Sequence, residues 1–125
     1  MRLSRQPSVR ALLLGLAGMI ATPAHPTVVI SEFMASNQSV RADDFGQYSD
    51  WIELTNTGAV PVDLAGWRLT DDSGNTAKWV FPSRSLSPGG DMIVWASDRD
   101  RKLQGAVLHT NFMLSAGGEY LGLYR

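Results

Sequence analysis

Beyond residue 26 the apolar residues come only in short stretches, and each stretch is cut by a cluster of glycine, proline, asparagine or aspartate. Asp43-Asp44-Phe45-Gly46, Asn56-Thr57-Gly58, Ala65-Gly66, Asp71-Asp72-Ser73-Gly74-Asn75, Pro88-Gly89-Gly90 and Ala116-Gly117-Gly118 are the cuts. These residues tolerate the left-handed backbone angles of tight turns or cannot continue a strand. No window of a dozen residues between them carries helical periodicity, so the chain has nowhere to place an amphipathic helix. What fits is a set of short strands: Val28–Met34, Asp50–Thr55, Val60–Leu64, Trp67–Thr70, Lys78–Phe81, Met92–Ala96, Leu108–Leu114 and Glu119–Tyr124. Strands this short and this evenly punctuated predict an all-β antiparallel sandwich or barrel. Met92–Ala96 is the most apolar of them and is expected to be central.

The first residues read differently. Arg2, Arg5 and Arg10 precede the apolar run Ala11–Ala21, and Thr22-Pro23-Ala24 places small residues before a cleavage point after Ala24. That is the layout of a secretory signal peptide, residues 1–24. The run is shorter than the roughly 20 residues that cross a bilayer. The expected domain is 27–125, secreted or held at the cell surface, with no membrane span in the mature chain. Loss of the leader removes three of the eleven basic residues, leaving eight against twelve acids, a net charge of −4. A mildly acidic chain without a polybasic tail argues against nucleic-acid or anionic-membrane binding. There is no cysteine, so neither a disulfide nor a thiolate metal site can form, and stability has to come from packing.

The stretch Asp50-Trp51-Ile52-Glu53-Leu54 poses a sharper question. In a strand, Ile52 and Leu54 point one way while Trp51 and Glu53 point the other. A tryptophan buries about 150–250 Å², so its face cannot be wholly wet. Trp51 is expected either beneath the Ala35–Ser49 loop or against an aromatic of a neighbouring strand, as seam rather than site. The core bets are Ile30, Ile52, Leu54, Leu69, Phe81, Val94 and Leu121.

No reactive constellation stands out. The only histidines are His25 and His109, no Gly-x-Ser-x-Gly elbow is present, and a base without a nucleophile is not a mechanism. His109 reads as a partly exposed polar residue beside a strand. The reading is therefore not an enzyme: catalytic residues none, cofactor-binding residues none, metal ligands none. Arg99-Asp100-Arg101-Lys102 reads as a solvated loop. Calcium is the one cofactor to weigh, because Asp43 and Asp44, Asp71 and Asp72, and Asp98 and Asp100 gather in turns, and calcium takes six to eight oxygen ligands. Turns select aspartate for their own geometry, however, so cofactors are read as none. Asn37-Gln38-Ser39 matches the N-glycosylation acceptor pattern.

Ile30-Ser31-Glu32-Phe33-Met34-Ala35-Ser36-Asn37, Asp50-Trp51-Ile52-Glu53-Leu54-Thr55-Asn56 and Val62-Asp63-Leu64-Ala65-Gly66-Trp67-Arg68-Leu69-Thr70-Asp71 follow in that order. After them come Trp79-Val80-Phe81-Pro82, Leu86-Ser87-Pro88-Gly89-Gly90, Val94-Trp95-Ala96-Ser97, His109–Ser115 and Glu119-Tyr120-Leu121. Together they closely resemble the lamin tail domain in its bacterial secreted form, over nearly all of 28–125. The resemblance implies an immunoglobulin-like β-sandwich. It also implies a further strand after Tyr120–Tyr124, so a domain truncated at its C-terminus is expected, with an open sheet edge.

Relatives of this kind sit in large extracellular proteins beside adhesive, kinase-like or hydrolytic domains. The resemblance therefore implies a non-catalytic module for protein, surface or polysaccharide interaction. The rival is an N-terminal accessory module of an exported hydrolase or kinase-like enzyme, whose catalytic domain lies beyond Arg125. A carbohydrate-binding module would need exposed, coplanar tryptophans. Ligand, partner and oligomeric state are not legible in these residues.

Overall fold

A computed structural model describes residues 27–118 and 120–125. The expected leader, 1–24, lies outside the described residues, as does Glu119. The strands are β1 (Val28–Met34), β2 (Asp50–Asn56), β3 (Val62–Asp63), β4 (Arg68–Thr70), β5 (Trp79–Val80), β6 (Ser85–Leu86), β7 (Asp91–Ala96) and β8 (Gly122–Tyr124). They form a sheet in the order β1-β2-β7, a second in the order β8-β4-β5, and a two-stranded β3-β6 ribbon, all antiparallel. The described residues contain no helix long and apolar enough to cross a membrane.

Register explains which side chains are inside. β2 pairs with β7 so that Ile52 faces Val94, Leu54 faces Met92 and Asp50 faces Ala96. These residues share one pleated face, and that face meets Leu69, Trp79 and Phe81 from the β4-β5 side, with Leu64, Leu86, Leu108 and Phe112 closing the ends. Of the core bets, Ile52, Leu54, Leu69, Phe81 and Val94 are buried, while Ile30 and Leu121 pack against the core half-buried. Trp79 sets its ring edge-on to Phe81, with centroids 4.8 Å apart, an aromatic geometry favoured by the ring quadrupoles.

β1 needs a correction to simple alternation. Val28, Val29 and Ile30 pair with Asn56, Thr55 and Leu54, but the register slips at Ser31, and Glu32, Phe33 and Met34 then pair with Glu53, Ile52 and Trp51. One extra residue in a strand reverses the faces of everything beyond it. Without the bulge Glu32 would point into the core beside Ile52; with it, Glu32 joins Glu53 on the outer face and Phe33 takes the inner one.

Two other expectations change in detail. β2, not β7, is the strand with a full-length neighbour on each side, because among the described residues β7 is met on its far edge only by the single bridge from Trp95 to His109, with Ser97 bridging Met113 just past its end. Leu108–Leu114 is accordingly not a laddered strand; His109 bridges both Trp95 and Arg101, and Met113 bridges Ser97.

Core position dictates the mutational cost. Leu54→Ala is expected to lower the unfolding free energy by about 2–5 kcal/mol in urea denaturation, through lost burial and the cavity left behind. Val29→Ala, at a position 39% exposed one pleat away, is expected to cost under about 0.5 kcal/mol in the same assay.

Candidate functional site

One end of the sandwich gathers the long 35–49 loop, the 97–102 turn and the 108–114 segment around the start of β2 and the end of β7. Asp50, first residue of β2, accepts the Asn37 amide on Oδ1 at 3.1 Å and the Leu114 amide on Oδ2 at 3.2 Å. One carboxylate thus holds two loops. Asn37 folds the 35–49 loop back on itself, its Nδ2 donating to the Arg41 and Ser49 carbonyls and its Oδ1 accepting from the Val40 amide. Asn37 is only 5% exposed, so in the folded domain its side-chain amide is occupied by these bonds.

Asp43 organises the loop tip. Its Oδ1 accepts the Phe45 amide at 2.8 Å and the Gln47 amide at 2.9 Å, and its Oδ2 accepts the Ser49 hydroxyl at 2.6 Å. Burial pushes its carboxyl up, but the Ser49, Gln47 and Phe45 hydrogen bonds outweigh that and hold it below the ordinary aspartate value; such bonds favour the charged form.

His109 overturns its sequence reading, since it is fully buried. Its Nε2 lies 2.6 Å from Asp44 Oδ1 and its Nδ1 lies 2.7 Å from the Ser97 hydroxyl. An ionised Asp44 can only accept, so Nε2 carries a proton and, in the neutral ring, Ser97 donates to Nδ1. Arg101 Nη1 reaches the other oxygen of Asp44 at 2.8 Å, and the Phe45 ring stands edge-on to the imidazole at 5.3 Å between centroids. Backbone bonds complete the clasp: Arg101 and His109 exchange N–H···O bonds at 2.9 and 3.1 Å, and Asp100 N donates to the Thr110 carbonyl.

A serine, a histidine and an aspartate in hydrogen-bonded sequence invite comparison with a nucleophilic triad. The geometry does not serve that chemistry. A catalytic imidazole must pass its proton to a leaving group, and this ring has no surface open to a substrate. The array instead satisfies both ring nitrogens of the buried His109 and ties three loops together.

Trp51 is 6% exposed and sits opposite Met34 on one side and Trp95 on the other, on the outer face of the sheet. It is seam, as expected. Its Nε1 is buried and meets no acceptor among the described residues. Trp67, Trp79 and Trp95 are buried as well, so among the described residues no tryptophan offers an open ring for a sugar.

Five of the six acids weighed for calcium have partners for their side chains. Asp71 pairs with Lys78 at 2.7 Å, Asp72 accepts the Gly74 amide at 2.8 Å, and Asp43 and Asp44 are committed as above. Asp100 accepts from Trp79 Nε1 at 3.1 Å. Among the described residues no group of three histidine, aspartate or glutamate side chains is placed to hold a metal.

The 99–102 segment is more than a solvated loop. Asp98 and Asp100 both adopt left-handed backbone angles, φ 65° and 52°, which aspartate tolerates better than most residues. The kinks bring Arg99 to 4.0 Å and Arg101 to 4.9 Å from the Phe45 ring centroid, and Lys102 to 5.1 Å from that of Trp79. Between Phe45 and this segment lies a broad, shallow cleft of about 470 Å³, open to solvent.

This two-sheet body with an elaborated loop end was compared with known proteins. The sequence matches the family model described as Lamin Tail Domain over residues 21–125. The chain belongs to the lamin tail domain family. No curated protein and no solved structure matches it. Lamin tail domains are a non-catalytic, immunoglobulin-like family of the interaction type, and this chain has their all-β sandwich.

Two outcomes follow from the loop chemistry. Asp43→Ala is expected to cost about 1–3 kcal/mol at neutral pH, because three donors lose their acceptor. A carboxyl whose folded value is depressed stabilises above the ordinary aspartate value of about 3.9 and loses that contribution as pH falls through the folded value. The gap between wild type and Asp43→Ala in urea unfolding is therefore expected to narrow in acid, and a gap that widens there would contradict the assignment. Melting temperatures in a chelator and in millimolar calcium are expected to coincide, since five of the six turn aspartates are already engaged.

Proposed function

We propose that this lamin tail domain works outside the cell as a non-catalytic binding module, and that its contact surface is the loop end. The observation that carries this reading is the combination there of a rigid frame with unspent surface. Asp43, Asp50 and the Ser97–His109–Asp44–Arg101 array fix the backbone, while Phe45, Arg99, Lys102 and Leu103 remain exposed. A surface whose backbone is ordered before contact loses little entropy on binding, and recognition residues placed on loops over a rigid sandwich are a recurrent arrangement. The export half of the proposal rests on the Arg2–Ala24 leader pattern.

Both halves are open to test. Full-length chain expressed in an exporting bacterium is expected outside the cytoplasm with a new N-terminus at His25, read by mass spectrometry of the intact protein. Retention in the cytoplasm with Met1 still present would refute export. A photo-crosslinking residue at position 45 is expected to yield discrete adducts with surface or extracellular proteins. The same residue at position 80, exposed on β5, is expected to yield none; matching adduct patterns at both positions would refute the loop-end surface.

A further inference from the structure

We propose that the cleft between Phe45 and the 99–103 segment binds an acidic stretch of a partner polypeptide, glutamate- or aspartate-rich with an apolar side chain alongside. This rests on the reading of the loop end as the contact surface and names what that surface recognises.

The charges around the cleft are not equivalent. Its lining holds Arg99, Arg101 and Lys102 against the single carboxylate of Asp100, in a chain whose overall charge is −1. Asp100 points its Oδ1 at Trp79 Nε1, and Arg101 is neutralised by Asp44. Arg99 and Lys102 rest over aromatic rings instead, and neither forms an ion pair with a carboxylate among the described residues. A guanidinium on a ring is held in place while its edge N–H groups stay free to donate. Such a fork matches a carboxylate bidentately, and its immobilisation reduces the entropy lost on binding.

The apolar component narrows the class. Leu103 is 60% exposed and Phe45 is 44% exposed, and both line the same cleft as the cations. A nucleic acid would want several uncommitted cations tracking successive phosphates, and the cleft supplies two. A glycan would want a free aromatic face for stacking, and the Phe45 ring already lies against Arg99 and Arg101. A peptide placing a carboxylate on Arg99 and Lys102 and an aliphatic side chain against Leu103 uses everything present.

The probe is a fluorescein-labelled dodecapeptide of alternating Glu-Leu pairs, titrated into the full chain and followed by anisotropy. Saturable binding that weakens with salt is expected. The Arg99→Gln/Lys102→Gln double variant is expected to weaken binding about tenfold or more, since it removes the charge-assisted hydrogen bonds to the peptide carboxylates. Arg68→Gln, which removes a cation from β4 in the other sheet, is expected to leave it unchanged. Amide shifts in ¹⁵N-labelled wild type are expected to place the peptide at residues 45 and 99–103, a readout that needs no variant to fold.

Absence of saturable binding, equal binding of a Lys-Leu peptide, tighter binding of a DNA duplex than of the peptide, or amide shifts elsewhere would each overturn the proposal. If the peptide fails while position 45 still crosslinks a partner, the acidic-segment assignment falls and the binding-module reading stands. If position 45 crosslinks nothing specific, both fall.

Discussion

Strand β2 carries a face of four residues, Asp50, Ile52, Leu54 and Asn56, on which the rest of the domain depends. The two apolar side chains in the middle are fully buried and supply the centre of the core. The polar ones at each end are spent on neighbouring backbone. Asn56 donates to the carbonyls of Val60 and Leu86 and accepts the Gly58 amide, while its own backbone bonds to Gly89 and Gly90. Asp50 does the equivalent for the opposite loops. Burying an amide or a carboxylate is costly unless its hydrogen bonds are made, so these two residues fit only when the loops they hold are in place. Core formation and loop placement are thereby coupled through a single strand.

The outer face of the same sheet is divided along its length. Near the start of β2 it is aromatic and buried, with Trp51 opposite Trp95. Toward the end of β2 it becomes a polar ladder, in which Thr55 Oγ1 lies 2.6 Å from Asp91 Oδ1 and 2.8 Å from Ser31 Oγ, and Ser31 donates to Glu53 Oε1 at 2.7 Å. The bulge after Ile30 brings Glu32 to this side, next to the Ser31 hydroxyl that alternation already places there. The aromatic half lies toward the end where the 35–49 loop returns to Asp50, and the polar half faces solvent. The division explains how a strand with Trp51 and Glu53 on one face meets both demands at once.

Alternation and turn chemistry were enough to read Asp50–Leu54, Trp67–Thr70 and Met92–Ala96 as strands and to name Ile52, Leu54, Leu69, Phe81 and Val94 as core, because each of those signals is local. The Ser31 bulge was not legible, since Val-Val-Ile-Ser-Glu-Phe-Met alternates acceptably in either register, and only the partner strand decides. His109 was misread for a related reason. A histidine beside a strand is polar by type, and its burial depends on Asp44, 65 residues earlier, meeting it in space. Family resemblance fixed the architecture but not this contact, which the composition of neither segment announces. The Asp98 and Asp100 kinks fall between these cases, as aspartate in a loop permits a left-handed angle without requiring one.

A sandwich with no cysteine must hold its loops by other means, and the way it does so bears on how the loop end can function. In the 97–102 segment, pinned and free side chains are interleaved: Ser97 is tied to His109, Asp100 to Trp79 and Arg101 to Asp44, while Arg99 and Lys102 lie over rings with their outer edges in solvent. The residues that fix the backbone are distinct from those that meet the surroundings. Exposed residues away from buried contacts contribute little to stability, so Arg99, Lys102 and Leu103 can change without loosening the frame, whereas Asp44 and His109 cannot. A hydrogen-bonded clasp on a buried imidazole therefore does for this loop end what a disulfide does in oxidised sandwiches: it separates the part that must be kept from the part that can be tuned to a partner.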